Sequence, residues 1–181
     1  MSLQRVSVAV PFAGEVDPEA FVPVFHDWIR RGAVEGLLID VARYAHVHEG
    51  PGVLLIGHEG DYSVDFLGGR PTLRYSLKRD EPGTPRELVA RSLRRLAHAI
   101  SEALVVPGIA IDDREIDVRV YDRLRAPNTP ETAAALTGEI EAGVSDVFGE
   151  VTRESRMLSD DPREPFGLRI RLETGRVATA A

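Results

Sequence analysis

Three of the chain's five histidines fall within thirteen residues, in a stretch that begins His46-Val47-His48-Glu49-Gly50-Pro51-Gly52 and closes Gly57-His58-Glu59-Gly60-Asp61. Imidazoles beside carboxylates can hold a divalent cation or move protons near neutral pH. In an extended strand alternate residues share a face, so His46 and His48 project together. A tight Gly-Pro-Gly bend would fold the next strand back and bring His58 and Glu59 beside them. His46, His48 and His58, with Glu49 or Glu59 as a further ligand or general base, then make a candidate site for a divalent metal. The same residues with Asp61 line a candidate ligand pocket. The pattern is not the helical H-E-x-x-H arrangement, because each His-Glu pair stands alone beside a glycine. His-Glu-Gly occurs at 48–50 and again at 58–60, which two strand-to-turn exits with polar rims also produce. Three readings stand: ordinary histidines at strand ends, which lead; a metal-free polar pocket or pH-sensitive interface; and a metal centre.

Other chemistry has less support. Ser63, His58 and Asp61 or Asp65 can be drawn as a triad, but no strained G-x-S-x-G elbow presents the serine. No P-loop and no G-x-G-x-x-G follows a strand. The chain has no cysteine, which rules out disulfides, thiolate-held clusters and a cysteine nucleophile. His26 and His98 fall within helical stripes and read as packed side chains. Asp122, Arg123, Arg125, Asn128 and Thr129 precede a helix start, where an anion site competes with the preferred reading of a loop and N-cap.

The composition narrows the partners. In 181 residues, 22 Lys and Arg stand against 29 Asp and Glu, a formal charge of -7. Nucleic acid and membrane are therefore not favoured partners. Arg86, Arg91, Arg94 and Arg95 share one helix, but no aromatic is interleaved among them, so they read as a solvated helix face. The first eleven residues hold one arginine and no apolar stretch of signal-peptide length, which gives a cytoplasmic expectation. Residues 1–3 are set aside as a leading extension.

The elements that must position these residues are legible from period and punctuation. Val6, Val8 and Val10 alternate as a strand. Asp17-Pro18-Glu19 caps a helix with Phe21, Phe25 and Trp28 on its stripe, and Gly32 ends it. A strand over 37–47 places Leu37, Ile39 and Val41 on one side and Asp40, Tyr44, His46 and His48 on the other. The run 53–56 reads as a covered strand. Gly68-Gly69 centres a hairpin that sets Val64 opposite Leu73 and Tyr62 opposite Tyr75, with Ser63, Asp65, Arg74 and Ser76 on the other face. Thr84-Pro85-Arg86-Glu87 is a capping box opening the longest helix, 85–104. A second hairpin pairs 109–111 with the strand of Ile116, Val118 and Val120. Thr129-Pro130-Glu131 starts a third helix, ended by Gly149. Strands over 151–157 and 166–172 follow, and Arg169, Arg171 and Glu173 on the last look like charged edge protection.

The expected architecture is one α+β domain over 1–173, with a mixed or largely antiparallel sheet of about eight or nine strands, three helices and a frayed tail over 174–181. Strand, helix, strand, strand occurs twice, a possible internal βαββ echo. The runs Phe25-His26-Asp27-Trp28-Ile29, Ile39-Asp40-Val41-Ala42, Glu49-Gly50-Pro51-Gly52-Val53, Gly57-His58-Glu59, Asp122-Arg123-Leu124 and Ala126-Pro127-Asn128-Thr129 resemble a set of bacterial proteins known only as hypothetical. That resemblance spans most of the chain and implies a bacterial, cytoplasmic protein, with no activity, substrate or cofactor attached. The functional expectation is a non-enzymatic protein that binds a small ligand or a protein partner and self-associates. The alternative is a divalent-metal-dependent enzyme built on His46, His48 and His58.

Overall fold

The computed structural model describes residues 3, 5–44, 50, 52–66, 69–78, 83–149 and 152–173. Proline-led caps start each helical segment. Asp17 accepts the Glu19 N–H at 3.0 Å and opens a 3-10 turn, Pro18–Ala20, that runs into helix α1, Phe21–Arg31. Gly32, in the left-handed region at φ 59°, ends α1. Thr84 and Glu87 form the reciprocal capping box of α2, Pro85–Leu104, and Thr129 caps α3, Pro130–Phe148. These are the positions where a helix has unpaired N–H groups and where proline sacrifices none.

Among the described residues eight strands form one sheet: β1 (Val6–Pro11), β2 (Leu38–Tyr44), β3 (Gly52–Gly57), β4 (Gly60–Asp65), β5 (Thr72–Leu77), β6 (Glu115–Val120), β7 (Thr152–Met157) and β8 (Phe166–Leu172). Their order is β2-β3-β4-β5-β1-β6-β8-β7, and every pairing is antiparallel. The chain is thus of the α+β class. Alternation of direction makes β1 and β2, β5 and β6, and β6 and β7 parallel and non-adjacent, so each helix is a crossover. The first crossover heads for one edge of the sheet; the other two start from oppositely directed strands and head for the other edge. Reversing both direction and destination leaves the face unchanged, so right-handed crossovers stack all three helices on the same side.

The core follows. Leu55, Tyr62, Tyr75, Val8, Val118, Leu168 and Met157 lie opposite one another across seven strands. They share one hydrophobic cluster with Phe25, Trp28, Leu93, Leu96, Ile140 and Val144 from the helices. The alternate residues, Ser63, Arg74, Ala9, Asp117, Arg169 and Arg156, form the parallel row on the other face.

Several local expectations are corrected. In β2, Leu38 pairs with Gly57 and Asp40 with Ile56, which makes Ile39 a bulge residue. One extra residue inverts the side-chain phase: Leu38 and Val41 pack on the core while Ile39 is 57% exposed. Leu37, Ile39 and Val41 therefore do not share a side. Residues 109–111 form no strand beside β6; Ile111 makes a single bridge to Phe12. The β4–β5 ladder has the expected register but stops at Asp65 opposite Thr72, so its connection is longer than two residues. Leu3 is fully buried and bridges Gly83. β8 is interior and β7 takes the edge, so Arg169 and Arg171 do not guard an edge. The repeated strand-helix-strand-strand order is not repeated in space: β8 lies beside β6, whereas β5 and β4 separate β3 from β1.

Candidate functional site

Of the histidine-turn residues, His46, His48 and Glu49 lie outside the described residues, as does Pro51 of the Gly-Pro-Gly bend. His58 and Glu59 are the two-residue turn between β3 and β4. Asp61 accepts the Gly57 N–H at 3.1 Å and pairs with Lys78 Nζ at 2.8 Å, and Lys78 also donates to the Gly57 carbonyl at 2.7 Å. Glu59 accepts the Leu37 N–H at 3.2 Å. Its own backbone N–H holds the Glu59 carboxyl below the usual range against the opposing effect of burial, with help from the Leu37 N–H. Both carboxylates thus staple the turn, while the His58 side chain is exposed at its tip. Tyr44, the last described residue before His46, pairs with Gly52 at the end of β3 away from His58. Among the described residues no group of three His, Asp or Glu is arranged to hold a metal ion. Ser63 donates to Asp65 at 2.8 Å, which leaves the drawn triad without its serine–histidine contact.

The densest polar constellation is on the sheet face away from the helices. Arg74, 2% exposed, donates Nε and Nη2 to Asp65 at 2.8 and 3.3 Å and Nη1 to Ser7 Oγ at 3.2 Å. Asp65, 1% exposed, also accepts from Thr72 at 2.9 Å, and Ser7 donates onward to the Tyr121 hydroxyl at 3.3 Å. Burial works against the Arg74 charge, and the adjoining Asp65 carboxylate outweighs it, so the guanidinium is held charged. Beyond the small side chains of β1, Asp117 receives Arg169 Nε and Nη2 at 2.7 and 2.8 Å, a two-pronged fit. Glu115 joins Arg70 at 2.5 Å and Arg171 at 3.1 Å. Arg70 comes from the turn before β5 and reaches over β1 to do so. A shallow concavity lies between β6, β8 and β7, lined by Glu115, Glu154, Arg156, Arg169 and Arg171.

Burial raises the Glu115 pKa, but hydrogen bonds from Arg70 and Arg171 and the charge of Arg169 bring it below the ordinary 4.5. A carboxyl depressed on folding contributes stability that is present above its unfolded pKa and lost as pH falls through the folded one. Glu115→Gln is therefore expected to make the acid limb of the stability–pH curve shallower below about pH 4.5. Urea midpoints measured across that range check it; an unchanged limb would contradict the coupling.

The loop before α3 is a clasp. Asn128 Nδ2 donates to the carbonyls of Ser159 and Asp161, both at 2.9 Å, while its buried Oδ1 has no partner among the described residues. Thr129 caps the helix, and Asp122 stands 3.7 Å from Arg125. Loop and cap chemistry accounts for these residues. Asn128→Ala is expected to lower folding stability by about 1–3 kcal/mol, and Asn128→Asp by more, because its carboxylate would face two carbonyl oxygens. Denaturant melts of the two variants provide the check. On α2, Arg86 forks onto Asp146 of α3 at 2.7 and 2.6 Å, and Arg95 donates to the Tyr75 hydroxyl at 2.7 Å. Arg86 and Arg95 thus serve internal contacts.

The sequence pattern held a trace of the polar face. Glu115, Asp117 and Arg119 alternate with Ile116, Val118 and Val120, and Arg169 and Arg171 with Leu168 and Ile170. Complementary charges in phase on two strands are a pairing signal, but it requires knowing that β6 and β8 are neighbours. No described helix is long and apolar enough to cross a membrane. No protein-family model and no curated protein matches the chain.

Proposed function

We propose that the protein is a non-enzymatic binding protein that receives a small ligand or a segment of a partner on the polar, helix-free face of its sheet. The observation that carries this reading is the commitment of that face's buried carboxylates and serines. Asp65, Asp117 and Glu115 each sit in guanidinium hydrogen bonds, and Ser63 and Ser7 donate to Asp65 and Tyr121. A general base needs a free lone pair within reach of a substrate proton, and a nucleophile needs an adjacent base. Groups locked in mutual pairs recognise shape and charge instead. A bacterial cytoplasmic setting belongs to the same proposal and rests on the resemblance noted above.

Metal analysis of tag-free protein purified without chelator tests this against a metal-dependent enzyme. The expected content is far below one ion per chain. Near-stoichiometric metal that disappears in His46→Ala and His58→Ala would overturn the reading.

Self-association through β2 is part of the proposal. This edge strand exposes Ile39 beside the charged Asp40 and Arg43, and the preceding Leu37 is 64% exposed, whereas the edge strand β7 exposes the charged Glu154 and Arg156. Exposed apolar side chains on an unpaired edge invite pairing. Light scattering at high concentration is expected to give a multiple of 19.8 kDa that Ile39→Lys reduces. A lone 19.8 kDa species in the unaltered protein would end this part.

A further inference from the structure

We propose that the strip formed by β6, β8 and β7 on the polar face binds a single small oxyanion, a phosphate or a carboxylate, between Arg156 and Arg169. The proposal rests on reading that face as the binding surface, and names its ligand chemistry.

Charge is the first support. Arg119, Arg156, Arg169 and Arg171 project from these strands and Arg70 reaches in from the turn before β5, against Glu115, Asp117 and Glu154. A local cationic surplus stands on a chain whose formal charge is -7. The register is the second. Arg156 lies directly opposite Arg169 on the neighbouring strand, and like charges so placed repel unless something negative lies between them. Asp117 occupies two donors of Arg169 on its far side. Exposed Arg156 makes no hydrogen bond or ion pair with any described residue.

The third support is a concavity at that point, lined by Arg156, Arg169 and Arg171 together with Glu115 and Glu154. Planar guanidinium forks match the spacing of carboxylate and phosphate oxygens. The flanking carboxylates repel a second negative group, so the site takes one small oxyanion and rejects a polyanion such as nucleic acid.

The test is calorimetric titration of the full chain at low ionic strength with inorganic phosphate, with N-acetylglycine, and with the neutral amide of N-acetylglycine. Phosphate or N-acetylglycine is expected to bind saturably, and whichever binds identifies the source of the oxyanion; the amide is expected not to bind. Arg156→Gln changes an exposed side chain that has no partner among the described residues, so it is expected to leave folding intact and to weaken binding by about ten-fold or more. Glu154→Gln removes a neighbouring negative charge and is expected to tighten binding several-fold. Raised salt is expected to weaken it. Binding unaltered by Arg156→Gln, equal binding of the amide, or no saturation by either anion up to about 50 mM would overturn the proposal. If the anions fail while another ligand perturbs Arg119 and Arg169, only the oxyanion assignment falls. If ligand effects map to the helices or to the His58 turn, the surface reading falls with it.

Discussion

Asp65→Ala is expected to cost about 3–5 kcal/mol of folding stability, the scale seen when one partner of a buried ion pair is removed. The variant leaves Arg74 charged, nearly inaccessible to water and stripped of its two-pronged acceptor. Ser63 and Thr72 lose the same carboxylate, so three sets of donors are orphaned by one truncation. The loss comes chiefly from stranding a charge, because desolvation offsets much of the Coulombic gain in an intact buried pair. Asp65→Val combined with Arg74→Met is therefore expected to recover a large part of the stability lost by Asp65→Ala. Urea unfolding of the three proteins checks both statements. A single variant within about 1 kcal/mol of the parent would mean that the pair is not sealed from water as described.

Gly52→Ala is expected to be the more disruptive of two glycine substitutions that share a backbone class. Gly52 has φ 59°, and a Cβ there would fall 2.1 Å from the Val64 carbonyl oxygen and 3.5 Å from the Asp65 Cα. Both are backbone atoms of the paired strand β4, so relief requires opening the β3–β4 ladder beside the buried ion pair. Gly69 has φ 80° but nothing within 4 Å of the same position. Gly69→Ala then carries backbone strain alone, about 1 kcal/mol, and Gly52→Ala at least about 3 kcal/mol, from strain and collision together. Equal losses in thermal or urea melts would show that the ladder accommodates the methyl group.

These two sites illustrate what the sequence could and could not disclose. Helix limits are local: Asp17, Thr84 and Thr129, each followed by proline, cap their helices as their types require. The β4–β5 register is nearly local as well, and Tyr62 lies opposite Tyr75, as pairing outward from Gly68-Gly69 leads one to expect. The bulge at Ile39 had no signature, because its cause is the pairing with Gly57 and Ile56 rather than anything in the run Leu38-Ile39-Asp40. Asp117 and Arg169 are 52 positions apart, and only the insertion of β8 between β6 and β7 makes them partners. The histidine cluster drew attention by residue type, yet its described carboxylates, Glu59 and Asp61, are spent on closing a turn. Charges alternating with core residues were the quieter signal, and they mark the polar face because a sheet covered by helices on one face must place its alternate residues together on the other.

Two-dimensional NMR of the backbone amides and arginine Nε–Hε groups, recorded while small anions, amines and neutral polyols are added in turn, most directly tests the proposal that the polar face binds a ligand. The perturbed signals are expected to gather at 115–119, 154–156 and 167–171, with α1 and α2 unmoved. Shifts confined to 37–61 or to the helices, or no response at Arg119 and Arg169 to any compound, would contradict the assignment of binding to the polar face.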